Sequence, residues 1–254
     1  MGKKKPNPEV PKHLDGTRLN RFLARAGKGS RRACDGFVVD GFVSINGTVI
    51  RNPAHRLEAG DRVRYLGETV SIPLPFVAVL NKPVGYETTM GERKGVRTVT
   101  ELLTGMPQGA APAGRLDLRT GGLLLFSNDG DLIHRLTHPK WKIEREYILI
   151  LSRAPSEKAL ERLRKGVMIE PRVFSRPSDI VISGKQKIRL VLTTGRNHEV
   201  RKLAKTCRLY LSGLERVRYG PVKIGTLKRG SWRFLNDNER NELRKTLGLK
   251  LTDE

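Results

Sequence analysis

The chain has 254 residues, enough for one sizeable core or two modest domains. Its 49 Lys+Arg against 26 Asp+Glu leave a formal charge of +23, more than an ordinary solvated surface carries, which points to a polyanion: nucleic acid first, an anionic membrane second. No apolar run approaches the roughly 20 residues that span a bilayer, the start Met1–Pro8 lacks the apolar core of a signal peptide, and Cys34 and Cys207 lie too far apart to suggest a disulfide framework or a metal pair. A reducing cytoplasm, no membrane and buried, inert thiols are the expectation.

Residues 1–14 combine lysines with prolines and no apolar period, and read as a disordered basic tail that could lie along a phosphate backbone. From Thr17 the pattern changes: Leu19, Phe22, Leu23 and Ala26 recur at helical spacing, with Arg18, Arg21 and Arg25 on another face. Gly27-Lys28-Gly29 ends that helix, Ser30 caps a second carrying Arg31 and Arg32, and Asp40-Gly41 stops it. Two strands then flank Asn46-Gly47, the strongest short hairpin signal, and Arg62–Tyr65 alternates as a third. One amphipathic helix with arginines is usually only a wet surface; two in succession before a small hairpin are less easily dismissed. The stretch RLNRFLARAGKGSRRACDGFVVDGFVSINGTVI resembles the small RNA-binding domain named after ribosomal protein S-four. That resemblance implies an α/β module over 15–70 with Arg18, Arg21, Arg25, Lys28, Arg31 and Arg32 as phosphate contacts. The proline-containing stretch 71–75 reads as a linker, leaving 76–254 as a second domain.

Phe76–Leu80 is a buried strand running into Asn81-Lys82-Pro83-Val84-Gly85. Residues 87–112 are polar and glycine-rich, a mobile loop with one helix over 99–103. The segment Gly114-Arg115-Leu116-Asp117-Leu118-Arg119-Thr120-Gly121-Gly122 then leads into Leu123-Leu124-Leu125-Phe126, a continuously apolar run that reads as a central strand. Arginines on either side of Asp117 favour its charged form, as a nucleophile or charge stabiliser requires, although most carboxylates so placed are structural ion pairs. His134 and His138 share a helix face at i, i+4 but lack a third ligand, so no metal is expected. Strands follow at 145–151 and 187–194, with an amphipathic helix over 156–166 between them. Beyond Thr194-Gly195-Arg196-Asn197-His198-Glu199-Val200-Arg201 come closing strands over 214–235 and a helix over 236–247.

The run GRLDLRTGGLLLFSNDG looks like the signature of the pseudouridine synthases, in the branch that modifies ribosomal RNA, the RsuA/RluB type. N-K-P-x-G at 81–85, Arg145-x-Tyr147 and G-R-x-H-x-V-R ending at Arg201 resemble three further motifs of that family. The resemblance implies an α+β fold: the small N-terminal α/β RNA-binding module plus a synthase domain built on a mixed, mainly antiparallel sheet. It implies an isomerase that turns one uridine of ribosomal RNA into pseudouridine without metal or cofactor, acting as a monomer on free RNA or on an assembling ribosomal particle. A stacked uridine is out of reach, so the nucleotide must be flipped out, at about a few kcal/mol.

Asp117 would be the catalytic carboxylate, attacking the ribose or the ring or acting as a base. Arg201 would pair with it, and Tyr147 would stack on the flipped base. Arg115 would fill the vacated stack or clamp a phosphate, with Lys82 and Arg196 as further substrate contacts. A non-catalytic RNA-binding assembly protein would explain the charge and the first 70 residues, but not the motifs around Asp117. A glycosylase would use a similar carboxylate but release free base, and a peripheral membrane protein would need a bulkier apolar helix face.

Overall fold

In the computed structural model, residues 9–11, 14–91 and 93–250 are described. The chain divides into two compact units: one runs to Pro75 and includes Met106–Ala110, and the other takes Phe76–Gly105 and the chain from Ala111 onward. The expected catalytic span of 76–254 thus lends a short excursion to the first unit. Its Gly109 is held so close there that a Cβ would lie 2.2 Å from the carbonyl oxygen of Arg25.

In the first unit, helix α1 (Leu19–Arg25) packs on α2 (Arg31–Val39), and Asn20 donates to Asp35 across the pair at 2.7 Å. Ser30 caps α2 by accepting from the amide of Ala33. Strands β1 (Val43–Ile45), β2 (Thr48–Val49), β3 (Val63–Tyr65) and β4 (Glu68–Thr69) form an antiparallel sheet in the order β2-β1-β3-β4. Leu19, Phe22, Leu23, Cys34, Val38 and Val43 fill the core, each worth about 1.5–3 kcal/mol of burial for the larger side chains.

The expected tail is shorter than 1–14. Val10 and Leu14 are buried in this core, and the amide of Val10 donates to Asp61 at 2.8 Å. Two isolated apolar residues among lysines and prolines carry no period, yet both find a hydrophobic seat. The rest of the tail expectation, residues 1–8, 12 and 13, lies outside the described residues.

The second unit holds eleven described strands, nine of them in one sheet, interleaved with its helices in chain order. They are β5 (Val77–Lys82), β6 (Ala111–Pro112), β7 (Gly121–Ser127), α3 (Gly130–Thr137), β8 (Arg145–Leu151), α4 (Glu157–Lys165), the β9 (Val167–Glu170) and β10 (Val173–Ser175) hairpin, β11 (Asp179–Gly184), β12 (Lys187–Leu192), α5 (Glu199–Thr206), β13 (Leu211–Tyr219), β14 (Val222–Lys223), β15 (Trp232–Phe234) and α6 (Asp237–Thr246). The main sheet runs β11-β12-β8-β13-β7-β5-β15, with β14 on β13 and β6 on β7; β9 and β10 pair apart from it. Every described pairing is antiparallel except β13 with β7, so the sheet is mixed and mainly antiparallel.

All of β7 is buried, as an unbroken apolar run at the centre of a sheet must be. Leu123 and Leu125 pack with α3 and α6 through Leu132, Leu136 and Leu243. Leu149 and Leu190 pack with α4 and α5 through Leu160, Leu163 and Leu203. Cys34 and Cys207 are buried in separate units, and burial pushes the Cys34 thiol up to about 11, so both behave as small hydrophobes. No described helix is long and apolar enough to cross a membrane.

The parallel pair demands one special residue. Gly122 sits opposite Arg216, at φ +99°, and a Cβ there would meet the Arg216 carbonyl oxygen at 2.2 Å. Only glycine permits both the backbone angle and the approach.

Candidate active site

Asp117 lies in the turn that feeds β7, closed by a bond from the amide of Thr120 to the Asp117 carbonyl at 2.9 Å. The irregular segment before it is pinned by Thr88, whose hydroxyl donates to the Leu116 carbonyl and accepts from the Leu116 amide. The carboxylate faces a cleft of about 370 Å³ between this turn, β8, β13 and the loop entering α5, within the range that holds small ligands. Arg115, Asp117, Tyr147, Arg196 and Arg201 all line it, although they are spread over almost ninety positions of sequence. Arg115 is exposed, and the Asp117 side chain is 31% exposed, so the carboxylate can be reached.

The expected Asp117–Arg201 pair takes a particular form. Arg201 Nε is 3.9 Å from Asp117 Oδ2, while its Nη2 donates to the Arg119 carbonyl at 2.5 Å and to Thr120 Oγ1 at 3.1 Å. Arg201 therefore holds the turn as much as the carboxylate. The nearer cation-capable group is His198, whose Nδ1 is 3.1 Å from Asp117 Oδ2. His198 stands inside the motif that ends at Arg201, where the sequence assigns it no role. It caps α5 in the left-handed region at φ +53°, a conformation histidine tolerates better than most residues and one often held at functional sites. Glu199 follows, buried, accepting from Ser175 Oγ, Thr194 Oγ1 and the amide of Arg196. These bonds tie the loop before α5 to β10 and to the end of β12.

Two expected substrate contacts, Lys82 and Arg196, each hold a backbone carbonyl. Lys82 has no exposed surface, and its ammonium donates to the Pro83 carbonyl at 2.9 Å. Burial lowers its pKa to about 8, with Asp117 pulling it partly back. It is near enough to Asp117 for the two charges to act on one another. Arg196 lines the cleft, but its Nη1 donates to the Phe174 carbonyl at 2.5 Å, and it precedes α5 without sharing a helix face with Val200. Arg145 is also buried, donating to the carbonyls of Ile143 and Leu136 and to the Tyr219 hydroxyl, and so is fixed two residues before Tyr147 on β8. Among the described residues no group of three or more His, Cys, Asp or Glu could hold a metal. His134 and His138 stack on one another at 5.1 Å, and His138 accepts from the amide of Lys140.

The cleft thus brings a reachable carboxylate before the central strand β7 together with a tyrosine and several cations. Residues 77–206 match the family model for RNA pseudouridylate synthase and residues 17–63 that of the S4 domain. The chain belongs to the RNA pseudouridylate synthase family, whose members are isomerases. It is 34% identical over 92% of its length to a protein of Aquifex aeolicus strain VF5 named an uncharacterized RNA pseudouridine synthase, covering 96% of that protein. It is 30% identical over 89% of its length to the ribosomal large subunit pseudouridine synthase B of Bacillus subtilis strain 168, covering 95% of it. A solved structure of a pseudouridylate synthase superposes with a TM-score of 0.64 at 25% identity, over 89% of this chain and 99% of that one.

Proposed function

We propose that the protein converts one uridine of large-subunit ribosomal RNA to pseudouridine, with the nucleotide flipped into the cleft and Asp117 as the catalytic carboxylate. The observation that carries this reading is the placement of Asp117 in the cleft with Tyr147 and Arg201, in a chain of this family. The large subunit is favoured because relatives matched along most of this chain carry that name. The reaction cuts the bond from ribose to the ring nitrogen, turns the base and rejoins it through carbon 5. Asp117 works at the ribose or the ring; Arg201 and His198 aim it. Tyr147 stacks on the flipped base, a contact worth about 1–3 kcal/mol. Arg115, exposed at the rim, takes the vacated place in the stack or clamps a phosphate, and Arg196 fixes the loop against which the nucleotide rests.

Arg18, Arg21, Arg25, Lys28, Arg31 and Arg32 hold RNA through its phosphates, so that affinity falls with salt. The protein works as a monomer, in the cytoplasm, without a metal or cofactor. The test is site-specific pseudouridine mapping of ribosomal RNA from cells with the wild-type protein or with Asp117→Asn. Loss of one modified uridine, with RNA binding retained and activity at least about 10³-fold down in vitro, is expected. An identical pattern in both would make Asp117 a structural ion pair and the protein an RNA-binding assembly factor.

A further inference from the structure

Beneath the cleft lie two buried cations with no counter-ion among the described residues. Arg145 is 6% exposed and Arg216 is 2% exposed, and both guanidinium groups stack on the ring of Tyr219, at 4.8 and 4.6 Å. Arg145 uses backbone carbonyls and the Tyr219 hydroxyl. Arg216 donates from Nε to the Leu123 carbonyl at 2.8 Å, and its Nη2 is buried with no partner. Among the described residues neither guanidinium forms an ion pair with a carboxylate; of the carboxylates lining the cleft, Glu199 is taken up by three donors and Asp117 faces His198 and Arg201. A buried charge is ordinarily paired, and an unmade hydrogen bond to a charged donor is costly. Carbonyl dipoles and a tyrosine face offset only part of that. The floor of the cleft is therefore built to receive an electron-rich group.

The position says which group. Arg216 is the cross-strand partner of Tyr147 on β8 and of Gly122 on β7, so it stands between the stacking tyrosine and the turn that carries Asp117. Opposed residues of an antiparallel pair share a face of the sheet, which puts the Arg216 and Tyr147 side chains on the same side. Phosphates of a bound RNA are solvated and suit the exposed cations at the rim, such as Arg115. A buried arginine beside the base-stacking residue suits the base itself.

We infer that Arg216 is a further catalytic residue, donating an N–H to a carbonyl oxygen of the flipped uracil and stabilising the ring when it detaches. The inference rests on the synthase reading above. When the C1′–N1 bond breaks, its electron pair leaves with the ring, and the negative charge spreads over O2 and O4. The ring then turns, the electrons at C5 form the C1′–C5 bond, C5 gives up its proton and N1 gains one, so that every atom of the uridine is retained. The hydrogen bond from Arg216 strengthens as the oxygen becomes anionic. It therefore lowers the barrier more than it tightens binding of the uridine. Arg145, held behind the same tyrosine ring, is a positioning residue that keeps Arg216 in place.

The experiment uses the full chain and a synthetic RNA carrying the uridine identified by mapping, with uridine, 2-thiouridine or 4-thiouridine at that site, sulfur being a poorer acceptor than oxygen. Single-turnover conversion and RNA affinity are measured for wild type, Arg216→Lys and Arg216→Met, with thermal unfolding of each. The expected result is a roughly 10- to 100-fold slower conversion by Arg216→Met at unchanged RNA affinity and partial recovery in Arg216→Lys. One of the two thio-substitutions should slow the wild type but not Arg216→Met, which a merely structural arginine would not produce. Wild-type rates in the variants, or a loss confined to RNA affinity, would overturn the inference and leave the synthase reading intact. Should Arg216→Met fail to fold, the wild type decides alone: slowing by either thio-substitution supports the contact, and indifference to both overturns it. A wild-type protein that converts no uridine in ribosomal RNA would sink the synthase reading itself, and this inference with it.

Discussion

The two units place their cations in opposite ways. In the first, Arg21, Arg31 and Arg32 are exposed on short helices whose apolar faces make a small core, and Arg25 and Lys28 are half-buried. In the second, Lys82, Arg145 and Arg216 are buried, fixed by backbone carbonyls and aromatic rings, and gathered around one reachable carboxylate. Exposed cations can meet any phosphate and release its counter-ions, which gives affinity without fine geometry. Buried cations cost desolvation and keep one position, which is what a reaction requires. Binding and chemistry are thus divided by how far each charge is removed from water.

Glycine substitutions break that comparison most sharply. Gly47 in the β1–β2 turn and Gly122 in β7 both have positive φ, at +91° and +99°. A Cβ on Gly47 meets nothing within 4 Å, whereas one on Gly122 meets the Arg216 carbonyl oxygen at 2.2 Å. Gly47→Ala should cost about 1 kcal/mol of stability, the left-handed penalty alone. Gly122→Ala should cost upwards of about 3 kcal/mol, because β7 and β13 must part. Urea unfolding of the two variants measures the difference. Equal costs would mean that the parallel pair yields freely, and that Arg216 is not held as rigidly as described.

The buried lysine gives a pH signature. The folded-state pKa of Lys82 is about 8 against an ordinary 10.5, so between those values the unfolded chain binds more protons than the folded one. Stability contributed by this group therefore rises with pH across that window and is at its lowest below pH 8. Lys82→Met removes the titration. The stability difference between wild type and variant should change by roughly 3 kcal/mol between pH 7.5 and 10.5, in favour of wild type at the higher pH. A constant difference over that range would show the ammonium to be solvated.

His198 sharpens the picture of what aims Asp117. Asn tolerates the left-handed backbone of position 198 but is too short to keep the imidazole contact at 3.1 Å. His198→Asn should keep the fold and RNA affinity while slowing conversion about tenfold, the loss of one close contact to a charged group. An unchanged rate would leave aiming to Arg201 alone.

What the sequence made legible was local. The Asp117 turn and β7 are one apolar run behind two glycines, Ser30 and Asn236 are capping residues before periodic segments, and β8 stands at 145–151 with the bounds expected of it. Arg216 was not legible. The register of β13 shifts between Arg216 and Arg218, so alternation along the strand breaks where it would have marked Arg216 as buried. The β9–β10 hairpin is not legible because its apolar residues are half-buried or exposed and its one buried residue is Ser175, which leaves too weak an apolar pattern to read. His198 owes its place to a backbone angle that no composition reveals.

The first unit is tested by salt, and the effect per residue is the smallest. Arg31 and Arg32 open α2 and are both exposed, so neither contributes to the core. Replacing both by alanine should leave the unfolding transition in place. If each meets a phosphate, the slope of log affinity against log salt should fall by about 0.7–0.9 per residue removed. The conversion rate at saturating RNA should remain that of the wild type, since no charge near Asp117 has changed. A variant that binds normally but converts slowly would show that the first unit does more than bind, and the division drawn between the two units would fail.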